Sequence, residues 1–252
     1  FDTIFLLGSL WYQTKNYTDS IRMLTNAIKI KPKNVTPYQN LGAVLVEIGE
    51  PEKAIEVLTK ASKIQQDHPG ILYNLGNAFK DLGKFEKAVS YYEDTIKLEP
   101  KNTKAYNNLG NVLKSLRKNE KAIEMFKKAI DIDPKHANAN HNLAGTYKEL
   151  GNFTKSKEFY KKSFNLNSNV ESLHALSELD NKTLDQNTKE KIEKIMSSKK
   201  ISENNNAYGK FILSKYELKN NELKKEFNYL LEGHAHYFLS KKKIFQRGVK
   251  YW

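Results

Sequence analysis

The sequence predicts an all-α protein, a right-handed solenoid of five helical hairpins followed by a C-terminal helical extension. Three observations support this fold. Similar segments recur every 34 residues, the recurring positions keep large and small side chains apart, and glycine and proline fall where helices would end. Because a single hairpin cannot bury its apolar faces alone, neighbouring hairpins are expected to stack on one another.

The period is clearest in one short segment that opens each repeat. Its copies are LLGSLWY at 6–12, NLGAVLV at 40–46, NLGNAFK at 74–80, NLGNVLK at 108–114 and NLAGTYK at 142–148. This spacing divides residues 1–170 into five repeats, with bounds 1–34, 35–68, 69–102, 103–136 and 137–170. We number positions within each repeat from 1 to 34.

Each repeat is predicted to contain two helices, at roughly positions 2–14 and 18–31. Gly49, Gly83 and Gly151 mark the turns between them. Small residues at positions 8 and 20 would let the two helices approach closely, and large residues at positions 11 and 24 would fill the space between them. The position-8 residues are Gly8, Gly42, Gly76, Gly110 and Ala144. Pro32, Pro100 and Pro134 follow the second helix, which proline cannot continue.

These recurring positions resemble the tetratricopeptide repeat (TPR) family. The resemblance implies that the first helix of every repeat lines a concave groove, with positions 2, 5, 6, 9, 12 and 13 facing into it. In this sequence many of those positions are polar, and the candidate groove residues are Asn40, Tyr73, Asn74, Asn77, Lys80, Asn107, Asn108, Asn111, Lys114, His141, Asn142 and Lys148.

The asparagines are unexpected inside helices, because Asn is a poor helix former. A carboxamide both donates and accepts hydrogen bonds, so a series of them suits the backbone of an extended peptide. The TPR regions of O-linked N-acetylglucosamine transferases and of chaperone-binding clamps use asparagine similarly. The alternative is that the position-6 asparagines join each repeat to the next, and the two roles are compatible. Lys80, Lys114 and Lys148 favour an acidic or carboxylate-ended ligand, unless they form only a solvated flank.

After residue 170 the period fails. We predict a helical and loop spacer at 171–206, and a degenerate TPR-like hairpin with a basic tail at 207–252. The hairpin would turn at Asn220-Asn221, with Leu213, Ser214, Phe227, Leu230 and Gly233 in core-like positions. Residues 171–252 resemble the segment that joins TPRs to the catalytic domain in bacterial TPR–sulfotransferase proteins. That resemblance implies a parent sulfotransferase whose catalytic domain would follow Trp252. A free-standing adaptor or assembly scaffold, or the TPR region of another transferase, is the alternative.

Composition excludes several kinds of site. The chain has 252 residues and no cysteine, so disulfides, thiolate metal sites and cysteine nucleophiles are ruled out. We find no set of acid, base and nucleophile, and predict no enzymatic activity, cofactor or metal site. His234 and His236 are two residues apart on a predicted helix, so they point about 200° apart and chelate poorly.

The net charge of +13 is spread over the repeats and the remainder, which makes nucleic acid an improbable partner. No apolar run approaches the roughly 20 residues that a membrane helix needs. We therefore expect a cytoplasmic protein whose partner is another protein or an extended peptide. The first residue is Phe1 and not Met, and Trp252 follows a basic stretch, which suggests a fragment or processed piece.

Overall fold

The computed structural model describes residues 1–167, 169–198 and 201–249, without the side chains of residues 167, 181 and 242–249. Over these residues the secondary structure consists of fourteen α-helices and one 3₁₀ turn, with no β-strand. The prediction of an all-α fold is confirmed. The chain divides into two compact units, Phe1–Ile132 and Asp133–Trp252.

The N-terminal unit contains four helical hairpins in chain order. Each first helix packs on the second helix of its own hairpin, and each second helix packs on the first helix of the next hairpin. First helices of neighbouring hairpins also touch, so they form one continuous layer. The helices are α1 (Asp2–Gln13), α2 (Tyr17–Ile30), α3 (Val35–Ile48), α4 (Pro51–Ile64), α5 (Pro69–Asp81), α6 (Phe85–Leu98), α7 (Thr103–Ser115) and α8 (Asn119–Ile132).

The C-terminal unit begins with one further hairpin of the same kind. It comprises α9 (Ala137–Glu149), α10 (Phe153–Asn167), α11 (Val170–Leu179), the 3₁₀ turn Asn181–Thr183, α12 (Gln186–Met196), α13 (Glu203–Lys219) and α14 (Leu223–Val249). Helix α11 packs between α10 and α13, α12 packs on α13, and α13 and α14 form the last hairpin. Their apolar side chains make one core that includes Tyr160, Leu173, Ile192 and Ile212.

The last hairpin turns at Asn220 and Asn221, as the sequence predicts. Among its expected core residues, Leu213, Ser214 and Gly233 are buried. Phe227 is instead 59% exposed, together with Leu223 and Leu231 one turn before and after it. These three residues lie four apart on one side of α14, whereas Gly233 packs against Phe211 of α13 on another side.

Glycine at position 8 allows the two helices of each hairpin to approach closely. A Cβ atom added at Gly42, Gly76 or Gly110 would lie 2.5–2.7 Å from the side chain at position 24 of the same repeat, which is shorter than real Cβ contacts. Those position-24 side chains are fully buried and are Leu58, Tyr92 and Phe126. The fifth hairpin accommodates the Cβ of Ala144, which packs in the same core as Tyr160.

The helix ends also follow the sequence. Gly49, Gly83 and Gly151 have φ values of 84°, 70° and 73°, in the left-handed region that glycine adopts without strain. Lys15 and Arg117 take the same conformation at the equivalent turns, with φ near 60°. The second helix ends two residues before Pro32, Pro100 and Pro134, as expected because proline disfavours the helical conformation of its predecessor. The second helix of the second repeat ends at the same position before Gln66, so proline is not required for this end.

We predict that Gly110→Ala destabilises the protein by about 1–3 kcal/mol, because the new methyl group would overlap the buried ring of Phe126. Thermal and urea unfolding would measure this change. In a Phe126→Val background the clash is removed, so the same substitution should be neutral or stabilising through the higher helix propensity of alanine. Equal destabilisation in both backgrounds would contradict the proposed close approach.

Candidate functional site

The position-6 asparagines of the N-terminal unit join neighbouring first helices. Each donates from Nδ2 to the preceding repeat, at hydrogen-bond distance and in a partly buried setting. Asn40 donates to Ser9 Oγ at 3.1 Å, Asn74 to the backbone oxygen of Gln39 at 3.1 Å, and Asn108 to Tyr73 Oη at 3.0 Å and Asn77 Oδ1 at 2.9 Å. These asparagines therefore fill the joining role that the sequence left as an alternative.

The contacts of Asn108 belong to a larger network between the third and fourth repeats. Tyr92 Oη donates to Asn77 Oδ1 at 2.7 Å, so this oxygen receives two hydrogen bonds and its orientation is fixed. Burial raises the pKa of both Tyr73 and Tyr92 above the usual value, so both phenols are neutral at pH 7. A neutral, mutually bonded network of this kind stays ordered when it is partly removed from water.

A pocket of about 520 Å³ opens on the layer of first helices in the N-terminal unit. Three of the predicted groove residues, Asn40, Tyr73 and Asn74, line it together. The other lining residues come from the first three repeats and from the start of the fourth, and are Tyr12, Gln39, Ala43, His68, Pro69, Gly70, Glu99, Asn102 and Lys104. The pocket therefore combines carboxamides, aromatic rings and one charge of each sign.

Local structure holds several of these side chains in place. Asn102 precedes α7 and accepts a hydrogen bond from the Ala105 amide at 2.9 Å, while its Nδ2 donates to Glu99 Oε2 at 2.8 Å. Gly70 leaves room for Gln39, since a Cβ atom at residue 70 would lie 2.4 Å from Gln39 Nε2. The amide of Gln39 is therefore positioned by the absence of a side chain on the neighbouring helix.

The other predicted groove residues of this unit lie outside the pocket. Asn107 is 8% exposed and donates to Asn108 Oδ1 at 3.4 Å. Asn111 and Lys114 are half-buried on α7, and Lys80 Nζ lies 3.5 Å from Asp81 Oδ1. Asn77 belongs to the network between the third and fourth repeats and not to the pocket lining.

Sequence reasoning missed several lining residues because they lie at the ends of repeats. His68 and Asn102 precede the first helices of the third and fourth repeats, where an isolated sequence indicates only a helix cap. Glu99 and Lys104 flank the same turn. Lys104, like Gly70, lies at position 2, which the family resemblance places in the groove, so that position was the available signal for both.

In the C-terminal unit, His141, Asn142 and Lys148 lie half-buried on α9. His141 Nδ1 is 2.8 Å from Ser172 Oγ of α11, and Ser172 in turn donates to Ser163 Oγ at 2.8 Å. Lys148 donates to Glu178 Oε2 at 2.8 Å, again from α9 to α11. In this unit, polar and charged contacts connect α9 to α11.

Glu178 is the centre of a charged cluster. Besides Lys148, it has His174 Nδ1 and Lys215 Nζ each 3.9 Å from its Oε1. Burial and the neighbouring Lys215 lower the pKa of His174 to about 4, so this imidazole is neutral at pH 7. Although partial burial raises the pKa of Glu178, the hydrogen bond from Lys148 and the nearby cations bring it below its usual value.

The two histidines of α14 do not converge. His234 packs edge-on against the ring of Phe211, and His236 Nδ1 lies 2.5 Å from Glu203 Oε2. In the described part of the chain, no group of three or more His, Asp or Glu side chains is arranged to hold a metal ion. Nor does any described helix combine the length and apolar character needed to cross a lipid bilayer. Most of the basic tail, predicted to lie at the end of 207–252, falls outside the described side chains.

Comparison with known proteins identifies the repeats. Family models described as "Tetratricopeptide repeat" match residues 69–102, 103–136 and 125–158, and one described as "TPR repeat" matches residues 44–83. The chain therefore contains tetratricopeptide repeats within residues 44–158. No curated protein sequence matches the chain.

Solved structures share this fold. A crystal structure of MamA is 26% identical, with a TM-score of 0.56, and the match covers 64% of this chain and 95% of MamA. PilF of Pseudomonas aeruginosa is 20% identical, with a TM-score of 0.65 and coverage of 78% and 92%. YrrB, titled a TPR protein with an unusual peptide-binding site, is 22% identical, with a TM-score of 0.55 and coverage of 68% and 89%.

We predict that Asn108→Ala lowers the free energy of unfolding by about 1–3 kcal/mol, because it leaves Tyr73 Oη and Asn77 Oδ1 with lost partners in a partly buried site. Asn111→Ala on the same helix is the matched control, since its amide makes no side-chain hydrogen bond among the described residues. Urea unfolding followed by circular dichroism compares the two. If both variants were equally stable, the asparagine would not join the repeats.

Proposed function

We propose that this chain, which carries tetratricopeptide repeats, is a protein-interaction module that binds an extended segment of a partner protein along the first helices of its N-terminal unit. The observation that carries the proposal is the pocket of about 520 Å³, in which Asn40, Tyr73 and Asn74 meet Gln39 and Asn102. We assign no catalytic role to the chain.

The joining role of the asparagines is compatible with ligand binding. A carboxamide has two N–H donors and an oxygen with two lone pairs, and each contact of Asn40 and Asn74 described above uses one N–H. A second donor and the oxygen are therefore left on each amide group. The bond to the neighbouring repeat fixes the direction of the amide in advance, which lowers the entropy lost when a ligand binds.

The pocket chemistry favours recognition of a peptide backbone. Carboxamides from the second and third repeats offer both donors and acceptors, and an extended peptide backbone presents both kinds of group. Tyr12 and Tyr73 add aromatic surface that buries apolar area while keeping a polar tip. YrrB, described as a TPR protein with an unusual peptide-binding site, supports the same use of this fold.

The charge of the ligand is a separate proposal. Lys80, Lys114 and Lys148 would favour an acidic segment, but Lys80 lies beside Asp81 and Lys148 donates to Glu178. The pocket itself contains Glu99 and Lys104, one charge of each sign. We therefore propose a neutral polar segment as the preferred ligand of the pocket, with any acidic residues binding elsewhere along the first helices.

The identity of the parent protein is proposed from the sequence alone. We propose that the parent is a TPR–sulfotransferase, on the resemblance of residues 171–252, with a cytoplasmic adaptor or another transferase as the alternative. We predict that the gene encodes a sulfonucleotide-binding loop soon after Trp252, and sequencing that region tests it. A stop codon directly after Trp252 would exclude the sulfotransferase parent.

We predict that Gln39→Ala and Gly70→Ala each weaken peptide binding by about two- to tenfold, the equivalent of one hydrogen bond. The first removes the Gln39 amide but keeps the backbone oxygen that Asn74 needs, and the second displaces that amide. Peptides selected from a random library on the wild-type chain would be titrated against the variants by fluorescence anisotropy.

Gln65→Ala, at the end of α4 and outside the pocket, is the control and should bind as the wild type does. Thermal melting checks that each variant is folded. Selected peptides that bind all four proteins equally would place the binding site elsewhere and contradict the proposed function.

A further inference from the structure

A second cavity, of about 640 Å³, lies in the C-terminal unit between the end of α11 and α13. Its described lining consists of Ser177, Glu178, Leu184, Lys215, Leu218 and Lys219. Leu184 is 4% exposed and Leu218 is 49% exposed, so one apolar wall is part of the core and the other is at the rim. The volume falls within the roughly 300–1,000 Å³ that is usual for small-ligand sites.

Lys215 brings a poorly neutralised positive charge to this cavity. Its Nζ is 3.9 Å from Glu178 Oε1, whereas Lys148 donates to the other oxygen of the same carboxylate at 2.8 Å. Two lysines therefore share one carboxylate, and the nearby His174 is neutral. The Lys215 side chain is 32% exposed, and burial lowers the pKa of its ammonium group. A cation that has lost part of its hydration gains from an added anionic partner.

The remaining polar groups of the lining are already engaged. Lys219 Nζ donates to the backbone oxygen of Leu184 at 2.9 Å, and Ser177 Oγ donates to that of His174 at 2.7 Å. None of the described lining residues carries a carboxamide, in contrast to the pocket of the N-terminal unit. The cavity therefore lacks the alternating donors and acceptors that suit a peptide backbone, and it fits a ligand with one charged head and an apolar body.

We propose that this cavity binds a small aliphatic carboxylate, with the carboxylate on Lys215 and the hydrocarbon chain along Leu184 and Leu218. The site belongs to the segment after the repeats and does not depend on peptide binding by the N-terminal unit. Glu178 lowers the affinity of the cavity for such a carboxylate, because its own carboxylate competes for the ammonium group of Lys215.

Calorimetric titration of the full chain with sodium octanoate tests the proposal. Lys215→Met keeps most of the side-chain length but removes the charge, and should weaken octanoate binding at least about tenfold. Lys225→Met, at a side chain that is 61% exposed on α14, is the matched control and should have no effect. Octanamide, which has the same chain without the charge, should bind wild type as weakly as octanoate binds the Lys215 variant.

Two further variants separate ligand binding from a structural ion pair. Glu178→Gln should strengthen octanoate binding severalfold, because it removes the competing carboxylate. If Lys215 served only to pair with Glu178, the same variant would leave octanoate binding unchanged or weaken it. Leu218→Asn changes a half-exposed wall, so the fold should persist while octanoate binding falls. These two variants decide the question if Lys215→Met does not fold, which thermal melting would reveal.

Several outcomes would overturn the proposal. No heat of binding with octanoate, or equal affinity in a folded Lys215→Met variant, removes the assigned site. Binding of a leucine-terminated peptide with no binding of octanoate would show that the occupant is a peptide terminus and not a small molecule. An affinity for octanoate that drops only in Lys215→Met and Leu218→Asn, and rises in Glu178→Gln, supports it.

Discussion

The close approach of two helices at position 8 is the constraint on which the repeats depend. Where Gly42, Gly76 and Gly110 lie, the facing side chain occupies the volume that a methyl group would need. This contact brings the helices together over fully buried Leu58, Tyr92 and Phe126, and so fixes the shape of each hairpin. Because the hairpins of the N-terminal unit have nearly the same shape, the first helix of each hairpin packs against the first helix of the next. Stacking of the hairpins is therefore enough to form the continuous layer.

The polar side chains between the first helices of this layer need hydrogen-bond partners. The position-6 asparagines lie where one first helix meets the next, and an unpaired amide in this partly buried setting would be unfavourable. Each is paired, but the partner varies with the residue at position 9 of the preceding repeat. Asn40 donates to Ser9 and Asn108 donates to Asn77. In the repeat before Asn74, position 9 is Ala43, whose side chain has no acceptor, and Asn74 donates to the backbone oxygen of Gln39 instead. The same donor thus joins the repeats through four different acceptors, because Asn108 also donates to Tyr73 Oη.

The sequence alone predicts the helices of the repeats but not the partners of their polar side chains. The helices, the turns at Gly49, Gly83 and Gly151 and the packing of position 8 on position 24 follow from local rules and a 34-residue period. The period is informative because residues of the same kind recur at the same position in successive repeats, so each repeat supports the assignment made in the others. The partners of the asparagines depend on which positions of neighbouring first helices lie side by side, and the 34-residue period alone does not give that pairing. Of the twelve residues that line the pocket, the sequence predicts only Asn40, Tyr73 and Asn74 as groove residues. Lining residues such as Glu99 and Asn102 come from turns, whose direction is set by packing.

Within the C-terminal unit, the contacts between neighbouring helices use a different chemistry. Lys148 reaches Glu178 as the asparagines reach their neighbours, but a charged pair replaces an amide. An amide carries no net charge, and one contact uses only one of its two N–H groups, so several amides can follow one another without building up charge. A half-buried carboxylate attracts nearby cations, and here Glu178 has both Lys148 and Lys215 within 4 Å, with the neutral His174 beside them. Because one carboxylate cannot neutralise two ammonium groups, this cluster keeps an excess of positive charge, whereas the asparagine contacts of the N-terminal unit are neutral.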